Sequence, residues 1–477
     1  MINPQAVNDA GNGTWVDLST GLGLVGGVGD IDLRGNVENR LNWAPRLGAT
    51  YQLNDKTVIR GGYGRSYDIG VFGSLFGHTV TQNLPVLAAQ NMTGPSQFAS
   101  VFNLAQGPPA PSSVQPNADG TFVWPNGIKP LVVPRKQRPP EVDAWNLTVQ
   151  RQLSDTLSVE VGYVGNYGRH VFAGDNPDEN LNQVALEGFL EGVPSNQRRP
   201  FFAGGITPNV LGVGGNFGWT QTVQAYPNEA HNWYKAMQAK FTRRFSKGWS
   251  AQVNYTLQRA TNYDDEWWIY DPDLNKGPAG FDRTHNFTTA LMYQLPFGKD
   301  KPYGSNWGAV TEALLGGWQL NSNIFVLSGT PFNVSYRDAG QDRDTGSGGL
   351  SDRPDLIGDT DGPQTQDEWF NAAPIGSSGS AFGRPARGTF GNLGRNQLRG
   401  PGFWQADLSL FKSFWTGRGS RFEVRIEAAN IFNHVNLANP DGQIGVPGND
   451  NPNAGRITDT AGNYTPRNFQ FGFRYVF

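Results

Sequence analysis

Strict alternation of polar and apolar residues is the feature that most constrains how this chain can fold. In residues 421–432 the apolar side chains of Phe422, Val424 and Ile426 alternate with charged ones. Successive side chains of a strand point to opposite faces, whereas a helix would scatter both sets around its axis. The segment is therefore predicted to be a β-strand with one apolar and one polar face.

The same pattern recurs in about eleven segments of about 8 to 14 residues. Strands of soluble β-sandwiches average about 5–6 residues, whereas strands that cross a membrane need about 9–11. We therefore predict an all-β fold, an antiparallel transmembrane β-barrel. The predicted strands are residues 46–53, 56–67, 142–153, 156–167, 233–245, 249–260, 285–295, 316–328, 403–414, 421–432 and 467–477.

Residues near the strand ends favour a membrane setting. Aromatic residues such as Trp145 and Trp249 lie near segment ends, as in the aromatic girdles of outer-membrane barrels. Charged residues that interrupt the apolar face, namely Arg65, Arg151 and Lys412, also lie near strand ends. There we expect their long side chains to reach the lipid headgroups.

Short and long connections alternate along the chain, which predicts the topology. Outer-membrane barrels have short periplasmic turns and long outer loops. If the last strand ends in the periplasm, every long loop falls outside, and residues 1–45 are the remainder of an extracellular loop. The link from Leu295 to Gly316 is the one longer connection among the short inner turns. Single-chain bacterial barrels close with even strand numbers, so about eleven strands suggest the C-terminal half, residues 46–477, of a barrel of about 22.

Composition excludes several classes of function. The chain of 477 residues has no Cys and only 5 His, and its formal charge is −3. Disulfide frameworks and thiolate metal sites are therefore excluded, and a nucleic-acid partner is not expected. No catalytic or nucleotide-binding motif has its required context. We predict no enzyme activity and no cofactor.

Three sets of polar residues are candidates for binding, each with a plainer alternative. One set has the spacing of a calcium-binding loop but lacks the usual glycine and the final glutamate, so a solvated loop is the alternative. A pair of tryptophans next to acidic residues could bind a sugar or a peptide, or could belong to an aromatic girdle. Alternating charges on one strand face could contact a ligand in the lumen or form an ion-pair ladder. The calcium candidates are Asp271, Asp273, Asn275 and Asp282. The outer-loop candidates are Asp264, Asp265, Glu266, Trp267 and Trp268. The lumen-facing ladder is Arg421, Glu423, Arg425 and Glu427.

The chain ends in a strand with an aromatic residue at every second position. Its aromatic residues are Phe469, Phe471, Phe473, Tyr475 and Phe477. A terminal phenylalanine with alternating aromatics before it resembles the signal by which outer-membrane barrels are assembled. The plainer alternative is an ordinary last strand.

Several blocks in order resemble the Oar-like branch of TonB-dependent outer-membrane receptors. They run from residue 44 to the end: APRLGATYQL, DKTVIRGGYGRSYD, AWNLTVQRQLSDTLSVEVGYVG, FDRTHNFTTALMYQLPFGKDKP, GGWQLNSNIFVLSGTPF, RGPGFWQADLSLFKSF, FEVRIEAANIFNHVN and PRNFQFGFRYVF.

The resemblance implies a bacterial outer-membrane protein that binds and imports a scarce solute. It also implies partners: outer-membrane lipid, an N-terminal plug and barrel half that this sequence does not contain, a TonB-type energy complex acting through that part, and the barrel-assembly machinery. Two alternatives stay open. One is a passive porin or adhesin barrel, and the other is a secreted soluble β-rich glycan-binding protein.

Overall fold

The computed structural model describes most of the chain. The described residues are 13–32, 41–68, 83–85, 100, 102–107, 114–132, 138–172, 179–202, 212–225, 228–263, 268–336, 345, 352–417 and 420–477.

Long antiparallel strands form one large sheet, called here the wall. Long strands that are consecutive in the chain pair with each other, so that the spatial order follows the sequence. A short strand, Gly277–Pro278, adds to β6 and brings the sheet to 12 strands. The long strands are β1 Arg46–Asn54, β2 Thr57–Tyr67, β3 Glu141–Ser154, β4 Leu157–Val171, β5 Ala230–Ser246, β6 Trp249–Asn262, β7 His285–Gln294, β8 Trp318–Leu327, β9 Phe403–Gly417, β10 Ser420–Ala429 and β11 Asn468–Val476.

The two faces of the wall differ in chemistry, as the alternation predicts. In the β10–β11 pair, Val424 lies opposite Phe473 and Ile426 lies opposite Phe471. Their face is called the outward face, and the polar face with Gln470 is called the lumen face. Phe473 exposes 68% of its surface, which is unfavourable in water and favourable against hydrocarbon. The predicted all-β antiparallel fold is confirmed.

Connections at one end of the wall are mostly tight turns. Strand β5 ends at Ser246 and β6 begins at Trp249, with positive φ angles of 50° at Lys247 and 85° at Gly248. Positive φ at both central residues is what a type I′ hairpin turn requires. The β7–β8 connection at the same end is longer and contains the helix α1, Ala309–Leu315. No helix in the described ranges has the length and hydrophobicity to span a membrane.

The first and last strands are the edges of the wall. Within the described residues, β1 pairs only with β2, and β11 pairs only with β10. Each edge therefore presents a row of backbone N–H and C=O groups with no partner strand.

At the other end of the wall the long connections fold together into what is called here the outer layer. It contains the 3₁₀-helices Ser195–Arg198 and Pro272–Asn275 and a set of short strands. The short strands are Thr14–Asp17, Leu22–Val25, Thr121–Val123, Leu131–Val132, Glu179–Asn180, Gln224–Ala225, Pro331–Phe332, Ser335–Tyr336, Asp355–Leu356, Phe382–Gly383, Leu398–Arg399 and Gln443–Ile444.

Two hydrophobic clusters hold the outer layer together. The first buries Trp124 from the β2–β3 connection together with Phe201 and Trp219 from the β4–β5 connection. It also includes Val16, which belongs to a hairpin that pairs with Thr121–Val123. Part of the segment expected to be the remainder of a loop is thus a folded piece of this layer.

The second cluster joins two connections nearer the C-terminus. It contains Phe332, Phe370 and Phe382 from the β8–β9 connection, together with Ile444 and Val446 from the β10–β11 connection. The rings of Phe332 and Phe370 lie 5.5 Å apart. Neither cluster follows a strand or helix period in the sequence.

Candidate functional site

Buried arginines connect the loops of the outer layer. The Arg395 guanidinium donates to the carbonyl oxygens of Asn275 (2.9 Å), Asn262 (2.7 Å) and Gly277 (3.2 Å). Arg353 donates to the carbonyl oxygen of Leu274 at 2.6 Å. These contacts tie the β8–β9 connection to the connection after β6.

The calcium candidates are engaged in the same network. Asp282 is fully buried, forms an ion pair with Arg399 and accepts the backbone N–H of Ala260 at 2.7 Å. The Asn275 side chain accepts a hydrogen bond from Arg353 at 2.9 Å. A buried carboxylate paired with a guanidinium has its charge already balanced.

The remaining calcium candidates lie beside these contacts. Asp271 precedes the 3₁₀-helix Pro272–Asn275, and Asp273 accepts the Tyr263 hydroxyl at 2.5 Å. Burial, together with this hydrogen bond, raises the pKa of Tyr263. No group of three or more His, Cys, Asp or Glu side chains able to hold a metal occurs in the ranges that the structure describes. The four candidates are thus not gathered around a common point.

The outer-loop candidates divide into two groups. Asp264, Asp265, Glu266 and Trp267 lie outside the described residues. Trp268 is only 3% exposed, and its ring lies 5.1 Å from that of Tyr270 and 5.0 Å from that of Phe390. Its packing inside the outer layer leaves no free face for stacking on a solute.

An open cavity of about 530 Å³ lies where the outer ends of β5 and β6 meet the outer layer. Lys235 and Arg259 line it and lie directly opposite each other in the β5–β6 pair. On the other side of Lys235 the neighbouring residue is Gly165, which has no side chain. Like charges placed directly opposite each other are unfavourable, so the pair favours an anionic group between them.

The rest of the cavity lining is mixed. Apolar surface comes from Tyr163, Met237 and Leu257, and polar groups come from Asn396 and Gln397. Such a lining suits a ligand with one apolar part and a few polar groups. Sequence reasoning missed this site, although two cations at matched positions of adjacent strands were a readable signal.

The charge ladder lies on the lumen face of β10. Glu423 forms ion pairs with Arg421 (2.8 Å) and Arg425 (3.5 Å). The Arg425 guanidinium also lies 4.7 Å from the centre of the Phe411 ring. Glu427 lies opposite Ser409 and Gln470 in the neighbouring strands. Arg421, Glu423 and Arg425 thus interact with one another along the wall.

The terminal aromatics share the outward face. Phe469, Phe471, Phe473 and Tyr475 lie opposite Ala428, Ile426, Val424 and Phe422. Phe477 follows the end of β11 and is almost fully exposed. This arrangement provides a continuous aromatic stripe beside an unpaired strand edge.

Two of the charged side chains expected to reach the lipid headgroups, those of Arg65 and Lys412, instead contact other groups of the protein. Arg65 forms an ion pair with Asp143 at 2.8 Å, and Asp143 also pairs with Arg169 at 2.7 Å. Lys412 is nearly buried and donates through Nζ to the carbonyl oxygen of Glu312 at 2.8 Å. For Lys412 the expectation is wrong, because a helix in the β7–β8 connection covers its ammonium group.

Comparison with solved structures finds several similar folds at low identity. The siderophore receptor PirA from Acinetobacter baumannii has a TM-score of 0.43 and 11% identity, over 91% of this chain and 41% of that one. The pyoverdine receptor FpvA from Pseudomonas aeruginosa has a TM-score of 0.40 and 10% identity, over 91% of this chain and 36% of that one. The outer membrane transporter YddB from Escherichia coli has a TM-score of 0.39 and 8% identity, over 88% of this chain and 38% of that one. The chain spans less than half the length of these structures.

No curated protein matches this sequence. The family model described as an outer membrane beta barrel domain matches residues 2–470, which is nearly the whole chain. With its long antiparallel wall and its exposed apolar outward face, the chain belongs to the outer membrane β-barrel domain family and is a protein of the bacterial outer membrane.

Proposed function

We propose that this chain is the C-terminal barrel part of a TonB-dependent receptor, which binds a scarce solute and imports it across the outer membrane. The residue blocks that resemble the Oar-like branch support this proposal. The observation that carries it is the folded outer layer. Phe201 and Phe382 are fully buried within its two clusters, so these loops offer a fixed surface, as selective binding requires.

The edges of the wall support the proposal that further strands complete the barrel. Backbone groups of an open edge have no water to bond in the hydrocarbon region, which costs several kcal/mol for each group. In the described residues, β1 and β11 each lack a second neighbour. A further barrel half of about eleven strands would close the wall at the size of the plugged transporters.

The proposal assigns the remaining partners to particular parts. The outward face contacts outer-membrane lipid, and the aromatic stripe of β11 is the recognition element for the barrel-assembly machinery. A plug and a TonB-type energy complex act through the N-terminal part. No catalytic role is assigned. Lys235 and Arg259 share the outward face with Tyr255 and Leu257, so their cavity is proposed to contact an anionic headgroup of outer-membrane lipid at the outer rim.

Energy-dependent uptake tests this function. A strain without the gene and its parent are compared for uptake of radiolabelled ferric citrate, cyanocobalamin and maltooligosaccharides, with and without a protonophore. We expect one probe whose uptake needs both the gene and the proton gradient. Equal uptake in both strains, or gene-dependent uptake that the protonophore leaves unchanged, contradicts the proposal, and the second result favours a passive pore.

Matched variants then test the cavity. Replacing both Lys235 and Arg259 with Gln removes the opposed cations without changing side-chain length greatly, so we expect less anionic outer-leaflet lipid to copurify with the protein in detergent. Lys247→Gln is the control, because Lys247 lies in the turn at the opposite end of the same strand pair. Equal amounts of copurified lipid for the two variants would remove the cavity from the proposal.

A further inference from the structure

The helix α1 lies at the inner end of the wall, in the connection between β7 and β8. This is the end at which the other connections are tight turns. The helix has the sequence AVTEALL, and none of its residues is buried. An isolated helix of seven residues has too few hydrogen bonds to be stable in water, so its surroundings must stabilise it.

Two side chains of the wall hold the C-terminal end of the helix. Lys412 donates through Nζ to the carbonyl oxygens of Glu312 and Gly316. Trp318 donates through Nε1 to the carbonyl oxygen of Leu314 at 2.8 Å. The last carbonyl oxygens of a helix lack partners within it and carry partial negative charge. A cation and an indole N–H thus satisfy this end.

Both donors belong to the outward face. Lys412 and Trp318 lie opposite each other in the β8–β9 pair. Leu410 and Phe414 lie in β9 two positions before and two positions after Lys412, so alternation places them on the same face as Lys412. Leu410 in turn lies opposite Ile426 of the apolar stripe. The helix therefore packs on the outward side of the wall and not over the lumen.

The side of the helix away from the wall is apolar. Val310, Leu314 and Leu315 expose 73%, 66% and 56% of their surfaces. The polar Glu312 side chain instead accepts the backbone N–H of Lys299 at 2.9 Å. Residues four apart lie on one helix face, so Val310 and Leu314 form one exposed apolar strip, with Leu315 beside it.

The position of this apolar strip indicates which partner covers it. The strip continues the outward face, which in an outer-membrane barrel faces lipid. In the same connection as the strip, Tyr303 is mostly exposed, and its ring centre lies 6.0 Å from that of Phe297, whose carbonyl oxygen accepts the backbone N–H of Gly317 just after the helix. Aromatic rings with a polar edge favour the boundary between hydrocarbon and headgroups. Continuity with the lipid-facing surface thus selects lipid as the covering partner.

We propose that α1 is an interfacial helix that inserts Val310, Leu314 and Leu315 into the phospholipid of the inner leaflet of the outer membrane. Through Lys412 and Trp318 the helix is fixed to β8 and β9, so it sets the depth at which this side of the wall lies in the bilayer. It also shields the Lys412 ammonium group from hydrocarbon. The proposal depends on the barrel fold and not on solute import.

Spin labelling gives a direct test, because the chain contains no cysteine. The Leu314→Cys variant is assembled by its host, labelled with a nitroxide at position 314, and reconstituted into phosphatidylethanolamine–phosphatidylglycerol vesicles. Collision rates with oxygen, which enriches in lipid, and with a water-soluble nickel complex are then measured. Leu291→Cys on the outward face is the lipid reference, and Ser305→Cys in the same connection as α1 is the water reference.

We expect the oxygen-to-nickel collision ratio at position 314 to be close to that at position 291 and well above that at position 305. A ratio equal to that at position 305 would place the helix in water and overturn the proposal. Low collision rates with both reagents would mean that protein covers the strip, which also overturns it. The lipid-like signal at position 291 shows in each case that the wall is inserted, and Leu315→Cys repeats the test one residue further on.

Discussion

Arg395 offers a sharp test of how the outer layer is held together. It is only 1% exposed, and its guanidinium reaches three backbone carbonyl groups and the side chain of Asn262, at distances from 2.6 to 3.2 Å. Arg395→Ala leaves these acceptors buried and without their donor. Each hydrogen bond from a charged donor contributes about 1.5–3 kcal/mol. Since water can replace some of the four lost bonds, we expect a total loss of about 3–5 kcal/mol, which corresponds to about two such bonds.

Native-state proteolysis measures this loss. Cleavage of a transiently open region follows the population of the open form when reclosing is fast. At about 1.4 kcal/mol for each tenfold change, a loss of 3–5 kcal/mol predicts cleavage roughly 100- to 3000-fold faster. Proteinase K is applied to outer-membrane vesicles, and fragments ending in the connection after β6 are quantified.

Arg456→Ala is the matched control. Arg456 lies in the same layer and pairs with Asp367 at 3.0 Å, but Asp367 is 84% exposed. An exposed pair of this kind contributes about 0–1 kcal/mol, so cleavage should change less than about tenfold. Arg395→Lys keeps the charge without the planar fork and should fall between the two. Equal cleavage of Arg395→Ala and Arg456→Ala would refute the reasoning.

Three further predictions concern the wall and the N-terminal hairpin. Phe471→Lys places a charge on the outward face and should destabilise the barrel by about 2–4 kcal/mol. Gln470→Lys places the same charge on the lumen face and should destabilise the barrel much less. Equal urea midpoints of unfolding for the two variants would contradict the assigned faces. Glu423→Gln leaves two arginines without their shared carboxylate and should lower the urea midpoint, and an unchanged midpoint would show that the ladder contributes nothing. Hydrogen bonds from the backbone N–H and the hydroxyl of Thr121 lower the pKa of Asp119 below its ordinary value of 3.8. The turn is therefore fully stable above that pH and loosens as the pH falls through the folded pKa. Hydrogen exchange in residues 117–121 should show this loosening, and Asp119→Asn should flatten its pH dependence.

The wall was predictable from sequence because each strand is decided locally. Alternation in segments such as residues 421–432 specifies both the conformation and the face of each side chain. The strands of the structure overlap the predicted ones, with differences at the ends. Strand β5, for example, begins at Ala230 and not at Trp233, because the pairing with β4 continues past the apolar segment.

The outer layer and the helix were not predictable in the same way. Trp124 and Trp219 lie among Gly, Pro and Asn residues with no period, and they are buried only because connections distant in sequence meet. Burial of this kind is a property of tertiary structure and leaves no local pattern. The segment Ala309–Leu315 does contain good helix formers, but its stability depends on Lys412 and Trp318.

The first hydrophobic cluster has a consequence for the order of biogenesis. It joins Val16 of the hairpin to Ile269, which follows β6, so at least six strands of the wall separate its members along the chain. A contact between two connections can form only once both are on the same side of the bilayer. In the proposed orientation this side is the cell surface, so the outer layer crosses the membrane unfolded and acquires its structure last, as its apolar side chains and buried arginines find their partners.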